Sequence, residues 1–498
     1  MNFNNNTKLI IVLLIILYYY VWTAAIASNN FDPNYNIHNY YNILTESFIK
    51  GNLYLPFEPT TEFLKSQDPY NPAKRQGYFP WDTAFYKGKF YLYFGITPIL
   101  TLYLPYMLTT GKYLSDYLAT LIFMFGSVIW ATLFLKLVFY KNFKKIPQWM
   151  FLTIVSVIGF ANVAPYLLRR LATYQVAISC GTFCLLGAIY LLHYAVLGSN
   201  LKSPKLIVLG SLFLGLAFGA RPNLIFAVLV ILITMIYKIS KDYFTNNSNK
   251  VHYCLALILP FSMFLLFLGL YNYLRFNNPF EFGLRYTLTL QNTRLAYHFN
   301  TSNILINSYL FLFHTPIINS QFPFIHILTR IPSTITPPPD FIAEKIAGIF
   351  PSIPFLLLIF VAPIISYFSA NQEAQDSIFN IKEFLCVFIS GWLVLLFFIC
   401  CGTVTMRYLA DYATLFILST GMIWFYYDSK LSGKSKRTLR IIATSLALIS
   451  IINGLCFGIE GCEYDQKYGL MGQNLTEFKK LELFFEPIQD LISKRLKK

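Results

Sequence analysis

Charge is the scarcest property of this sequence. Only 12% of its 498 residues are Asp, Glu, Lys or Arg, while 56% are hydrophobic. That charged share is about half the ~25% of an ordinary globular chain, which excludes a water-soluble enzyme. Acidic residues are rarest, 23 against 39 basic ones, for a net charge of +16. The excess does not point to nucleic acid. Basic residues sit in short loops between apolar runs, as membrane topology demands, and form no single binding face. The eight cysteines show no metal-ligand spacing. Cys180, Cys184, Cys254 and Cys386 fall inside apolar runs as small core residues. Cys456 and Cys462 flank the last run's outer end, where a disulfide is the minor alternative to free thiols.

What the chain has in abundance is apolar length. Runs of about 18–25 residues recur, enough to cross ~30 Å of hydrocarbon. The first, Leu9 to Ala27, ends in Ala25-Ile26-Ala27, which resembles a signal-peptidase site. Its length suits an uncleaved membrane span better than a signal-peptide core. Ten more spans are expected at about 114–139, 147–167, 174–197, 204–219, 222–238, 251–273, 350–369, 383–401, 408–427 and 440–459. The fold class is therefore an all-α polytopic membrane protein of about eleven transmembrane helices.

Segment 90–110 is apolar but interrupted by Gly95, Pro98 and Pro105. If it stays on one side and the N-terminus is cytoplasmic, fourteen loop lysines and arginines between Lys141 and Arg440 face the cytoplasm. Only Arg169, Arg170, Arg221 and Arg407 then fall in short outer loops. A crossing would invert this bias, so 90–110 is expected to be re-entrant or interfacial on the outer face. The organisation follows. Residues 1–27 form the first span and 28–113 an outer loop with amphipathic and interfacial helices. Spans 2–7 occupy 114–273, a second outer loop 274–349, spans 8–11 350–459, and an outer tail with a helical appendage 460–498.

The outer loops hold the chemistry. Ile37, Tyr41, Leu44 and Phe48 have helical spacing, predicting an amphipathic helix over 34–50 with Gly51 at its C-cap. Asp32-Pro33 at its start reads as an N-cap and first helical position, and also as a candidate carboxylate. Residues 56–80 read as irregular loop. Lys87-Gly88 reads as a tight turn between aromatic arms. Asp82 before it is either a turn-forming residue or a catalytic or metal-binding one. Lys87 and Lys89 suit lipid headgroups or a lipid phosphate.

Arginine beside hydrocarbon snorkels or pairs. The Arg169-Arg170 pair, Arg221 and Arg407 come from three separate helix ends on the side with few basic residues. A phosphate is the partner they would share, since guanidinium binds it bidentately. Asp411, at i+4 from Arg407, offers that arginine a competing intrahelical pair.

The stretches Tyr40 to Leu53, Tyr86 to Gly95, Gly219-Ala220-Arg221-Pro222-Asn223, Tyr271 to Phe276 with Pro279 to Gly283, and Arg407-Tyr408-Leu409-Ala410-Asp411 run in order across most of 30–425. In that order they resemble integral-membrane glycosyltransferases of the GT-C fold. These are the class of protein O-mannosyltransferases and aminoarabinose transferases, here an uncharacterised bacterial subgroup. The resemblance implies a polyprenyl-phosphate-linked sugar donor, an active site on the periplasmic or lumenal face, and an acidic residue in the first outer loop. Many relatives carry that acid just before the amphipathic helix, a place that falls near Asn36 to Asn39 here. The candidate bases are therefore Asp82, then Asp32. The candidate phosphate ligands are Lys87, Lys89, Arg169, Arg170, Arg221 and Arg407. A divalent metal could assist, but no ligand cluster demands one. The acceptor would be an envelope glycan, lipid or protein, and the location a bacterial inner membrane. The alternatives are a multi-pass transporter or lipid flippase, and an inactive relative that binds lipid-linked sugar.

Overall fold

The computed structural model describes residues 3–27, 39–169, 172–197, 203–241, 247–289, 292–296, 301–338, 341–369, 381–401, 403–460 and 475–496. Long apolar helices form a bundle whose polar connections pile onto one end, called here the loop end. Helix α1 (Phe3–Ala27) leads there. Short α2 (Tyr40–Ile49) and α3 (Thr61–Leu64) follow, then hairpin strands β1 (Thr83–Tyr86) and β2 (Lys89–Tyr91). Helix α4 (Ile99–Thr110) comes before α5 (Asp116–Asn142), α6 (Gln148–Ala161), α7 (Ala164–Leu168), α8 (Thr173–Leu197), α9 (Pro204–Ala220), α10 (Ile225–Lys241) and α11 (Asn247–Phe276).

A second group of loop elements comprises β3 (Thr287–Leu288), α12 (Thr293–Ala296), α13 (Asn303–Phe313), β4 (Ile317–Ile318), β5 (Ile325–His326) and β6 (Ile342–Ala343). After it come α14 (Ile349–Ser352), α15 (Leu358–Tyr367), α16 (Ile381–Ile399), β7 (Thr403–Val404), α17 (Ala413–Lys430), α18 (Gly433–Ile459) and the tail helix α19 (Leu475–Leu496).

Among the described residues, eight helices are long and apolar enough to cross a membrane. The three other expected spans differ. Helix α9 has 17 residues, 350–369 is split by a 3-10 turn at Pro354–Leu357, and polar Tyr and Asp dilute α17. Eleven spans are thus not what length and composition establish.

The helices alternate in direction. At one end Gln148 donates to the Asn5 carbonyl (2.9 Å), Lys238 pairs with Glu383 (2.8 Å) and Arg440 pairs with Asp428 (2.7 Å). At the loop end Tyr20 donates to Gly159, and Tyr19 to Leu455. Segment 90–110 begins and finishes at the loop end. The Leu92 carbonyl accepts from Arg275 Nη1 (2.8 Å) at the end of α11, and Thr97 donates to Leu216 (2.8 Å) near the end of α9. A Cβ on Gly95 would collide with the Gly219 and Ala220 carbonyls, so only glycine lets the two backbones lie this close. At the far side of α4, Tyr103 donates to buried Asp116 (2.6 Å), and Asn39 and Asn42 donate to Leu114.

Helix α2 starts at Tyr40 with Asn39 as N-cap, its side chain accepting from Asn42 N–H (2.9 Å). Ile37 and the Asp32-Pro33 start lie outside the described residues. Tyr41 and Leu44 are buried, and Gly51 ends the helix at φ +77°, as its cap position requires. Short α3 interrupts the expected irregular stretch. Cys456 is a free thiol, and Cys462 lies outside the described residues.

Candidate active site

The first part of the site is built on the β1–β2 hairpin. Lys87 and Gly88 both adopt positive φ, +47° and +80°, the turn that matches strand twist and that Gly favours. The hairpin joins β3, so the two loop regions form one three-stranded sheet, β2-β1-β3. Asp82 opens β1 at φ +55°, a conformation that Asp tolerates better than most residues. Its N–H bonds the Leu288 carbonyl (3.0 Å), and Thr83 Oγ1 donates to Pro80 (2.7 Å). The Asp82 side chain is partly exposed. Burial first, and then the Asp82 charge, push the Tyr40 phenol above its ordinary pKa, and the Tyr40 hydroxyl donates to the carbonyl of the preceding residue, Trp81 (2.6 Å). Lys87 and Lys89 are exposed, 5.4 Å above the Tyr86 ring and 3.9 Å above the Tyr54 ring.

The second part is a charged seam between helix ends. Arg221 follows α9 in an extended conformation, and its Nη2 meets Asp411 Oδ2 at 2.7 Å. Asn223 donates to the same oxygen at 2.9 Å. Arg407 grips Glu344 through both terminal nitrogens, at 2.7 and 2.8 Å, and stacks 4.1 Å above Tyr174. Arg169 lies 3.9 Å from Glu460 and 4.3 Å above Tyr166. Lys345 also reaches Glu460, at 3.1 Å. Strands β6 and β7 pair in parallel, and the ladder continues through Glu344 N–H to Val404 and Met406 N–H to Lys345. Side chains alternate along such a strand, so Glu344 turns to Arg407 and Lys345 to Glu460.

One expectation needs correction. Asp411 does not pair with Arg407. Met406–Asp411 is a 3-10 helix, in which i and i+4 no longer share a face, so Asp411 turns to Arg221. The rim arginines are paired within the protein. Arg169, Arg221 and Arg407 each have a carboxylate, supplied by Glu460, Asp411 and Glu344. Asp32 and Arg170 lie outside the described residues.

Arg221 and Arg407 do converge: their guanidinium carbons lie 5.5 and 5.8 Å from the Tyr408 ring. Aromatics join them to the hairpin. Phe94, just after β2, sits 6.3 Å from the ring of Tyr174, which carries Arg407. Sequence reasoning missed Glu344, Lys345 and Glu460. The one available signal was an acid-base pair, Glu344-Lys345, in an otherwise apolar Pro-rich stretch. Among the described residues no three His, Cys, Asp or Glu side chains gather as a metal site.

No family model and no curated protein matches the chain. Among solved structures it is similar to the Archaeoglobus fulgidus oligosaccharyltransferase in its apo form, at 13% identity over 96% of this chain, with a TM-score of 0.42. It is also similar to the same protein tethered to an acceptor peptide, at 12% identity over 92% of this chain, again with a TM-score of 0.42. The chain spans only 59% and 56% of those structures. A likeness this faint decides nothing about activity.

Proposed function

We propose that the chain is a membrane glycosyltransferase of the GT-C type. It would move a sugar from a polyprenyl-phosphate-linked donor to an envelope glycan, lipid or protein at the periplasmic face of a bacterial inner membrane. The observation that supports this best is the convergence of Arg221 and Arg407 on Tyr408, at the end of the bundle that also carries the Asp82 hairpin. A bidentate arginine–carboxylate pair has the geometry of an arginine–phosphate pair. The Glu344 side chain, 42% exposed, is the partner a phosphate would displace or share.

In the proposed step the acceptor hydroxyl attacks the anomeric carbon as the bond from that carbon to the phosphate oxygen breaks. Asp82 takes the hydroxyl proton, with Asp32 as second candidate. The leaving lipid phosphate keeps the bonding electrons, and its charge is met by Arg407, Arg221, Lys87 and Lys89. Stabilising charge where it develops usually contributes more to such catalysis than any other effect.

The test is transfer from a short-chain polyprenyl-phosphate sugar by purified protein in liposomes. Asp82→Ala lowers turnover by about 10²–10⁴-fold if it is the base. Unchanged turnover in that variant rejects Asp82. The rival reading, a transporter or flippase, has one observation in its favour: the buried Lys238–Glu383 pair within apolar helices. Both residues lie near helix ends remote from the loop end, whereas transport sites sit near the bilayer midplane. Saturable uptake without transfer would favour that rival.

A further inference from the structure

We propose that Trp81 and Tyr78 form a carbohydrate platform beside Asp82, so that the acceptor is a glycan. The binding claim stands on the surface itself; the acceptor role rests on the transferase reading above.

Trp and Tyr faces that are exposed on a backbone held still are ready-made anchors for a ligand. Trp81 is 48% exposed and Tyr78 76% exposed. The chain beneath them is pinned from several elements. The Trp81 carbonyl accepts from Tyr40 of α2 (2.6 Å), and the Asp82 N–H donates to β3 (3.0 Å). Gly77, at φ +69°, packs so tightly on α3 that a Cβ would fall 2.8 Å from Phe63 N. One face of Trp81 is also supported. Phe79 lies 4.7 Å from it, and Phe63, buried in the core, lies 5.9 Å from Phe79. Arg75 covers Phe79 at 4.5 Å. The side chain is therefore ordered before any ligand arrives, which lowers the entropy cost of binding.

The neighbouring groups choose the ligand. A pyranose has an apolar C–H face and a rim of hydroxyls. The free indole and phenol faces match the first. The partly exposed Asp82 carboxylate, next in the chain to Trp81, whose carbonyl holds the Tyr40 hydroxyl at 2.6 Å, matches the second as a strong acceptor.

The probes are chitotetraose, maltotetraose and mannotetraose, titrated against the full-length purified protein in detergent and followed by saturation-transfer NMR. At least one is expected to bind. Its Kd should rise about ten-fold in Trp81→Ala and in Tyr78→Ala and stay within about two-fold in Trp81→Tyr, since an anchor worth about 1.4 kcal/mol is tenfold in affinity. The unfolding temperature is read alongside. If Trp81→Ala does not fold, Tyr78→Ala and Trp81→Tyr decide. The proposal is overturned if no probe binds, or if the variants bind like the wild type. It is also overturned if Trp81→Ala instead loses retention on phosphatidylglycerol vesicles. Sugar binding without transfer by the wild type keeps this inference and removes the transferase reading. Transfer whose acceptor KM ignores both substitutions does the reverse.

Discussion

Removing Asp411 is the sharpest test of the charged seam. Its side chain is fully buried (0% exposed), and that of Arg221 is 15% exposed, with 2.7 Å between them. Asn223 shares the same carboxylate oxygen at 2.9 Å. In Asp411→Ala the guanidinium stays in the bundle without its counter-charge, and breaking a buried pair this way costs about 3–5 kcal/mol. Asp411→Asn keeps the shape but loses the charge, so its cost is smaller, about 1.5–3 kcal/mol. Arg221→Met combined with Asp411→Leu removes both desolvation penalties and should recover most of the loss. The assay is unfolding in mixed micelles, read by tryptophan fluorescence, over the complete double-mutant cycle. A coupling energy below about 0.5 kcal/mol, the level found for independent sites, would refute the pairing. The same cycle run with donor lipid present asks whether Arg221 serves the fold alone. A donor that stabilises the wild type but not the double variant would show Arg221 in contact with it.

Two further outcomes can be checked. Glu344→Gln removes the charge that Arg407 grips, and because that carboxylate is 42% exposed the stability loss should stay near ~1 kcal/mol. If Arg407 takes the donor phosphate, Kd for the donor falls in this variant, and a rise would count against that role. His314 accepts the Arg330 N–H at 3.0 Å, and burial holds its pKa below the ordinary 6.5. The unfolded chain then binds the extra proton first. Stability is complete above pH 6.5 and falls as pH drops through it, by at most ~1.4 kcal/mol per pH unit. His314→Gln should flatten that slope in urea titrations between pH 5 and 7, and an unchanged slope would assign it to other groups.

Much of this protein was legible without coordinates. Apolar runs long enough to satisfy their own backbone hydrogen bonds in lipid can only be helices, so composition and run length determined the helical membrane class. The Lys87-Gly88 turn and the Gly51 cap followed from a local rule, glycine's freedom at positive φ. Each needs only a few neighbouring residues. The partners of the arginines were beyond such rules. Glu344 reaches Arg407 across 63 positions and Asp411 reaches Arg221 across 190, and which carboxylate faces which guanidinium depends on β6–β7 pairing and a 3-10 turn. The same holds for Trp81, whose exposure follows from contacts with α2, α3 and β3. Helices in a membrane are a property of the chain's own length and polarity. The meeting of side chains from distant helix ends is a property of packing, and only the tertiary structure decides it.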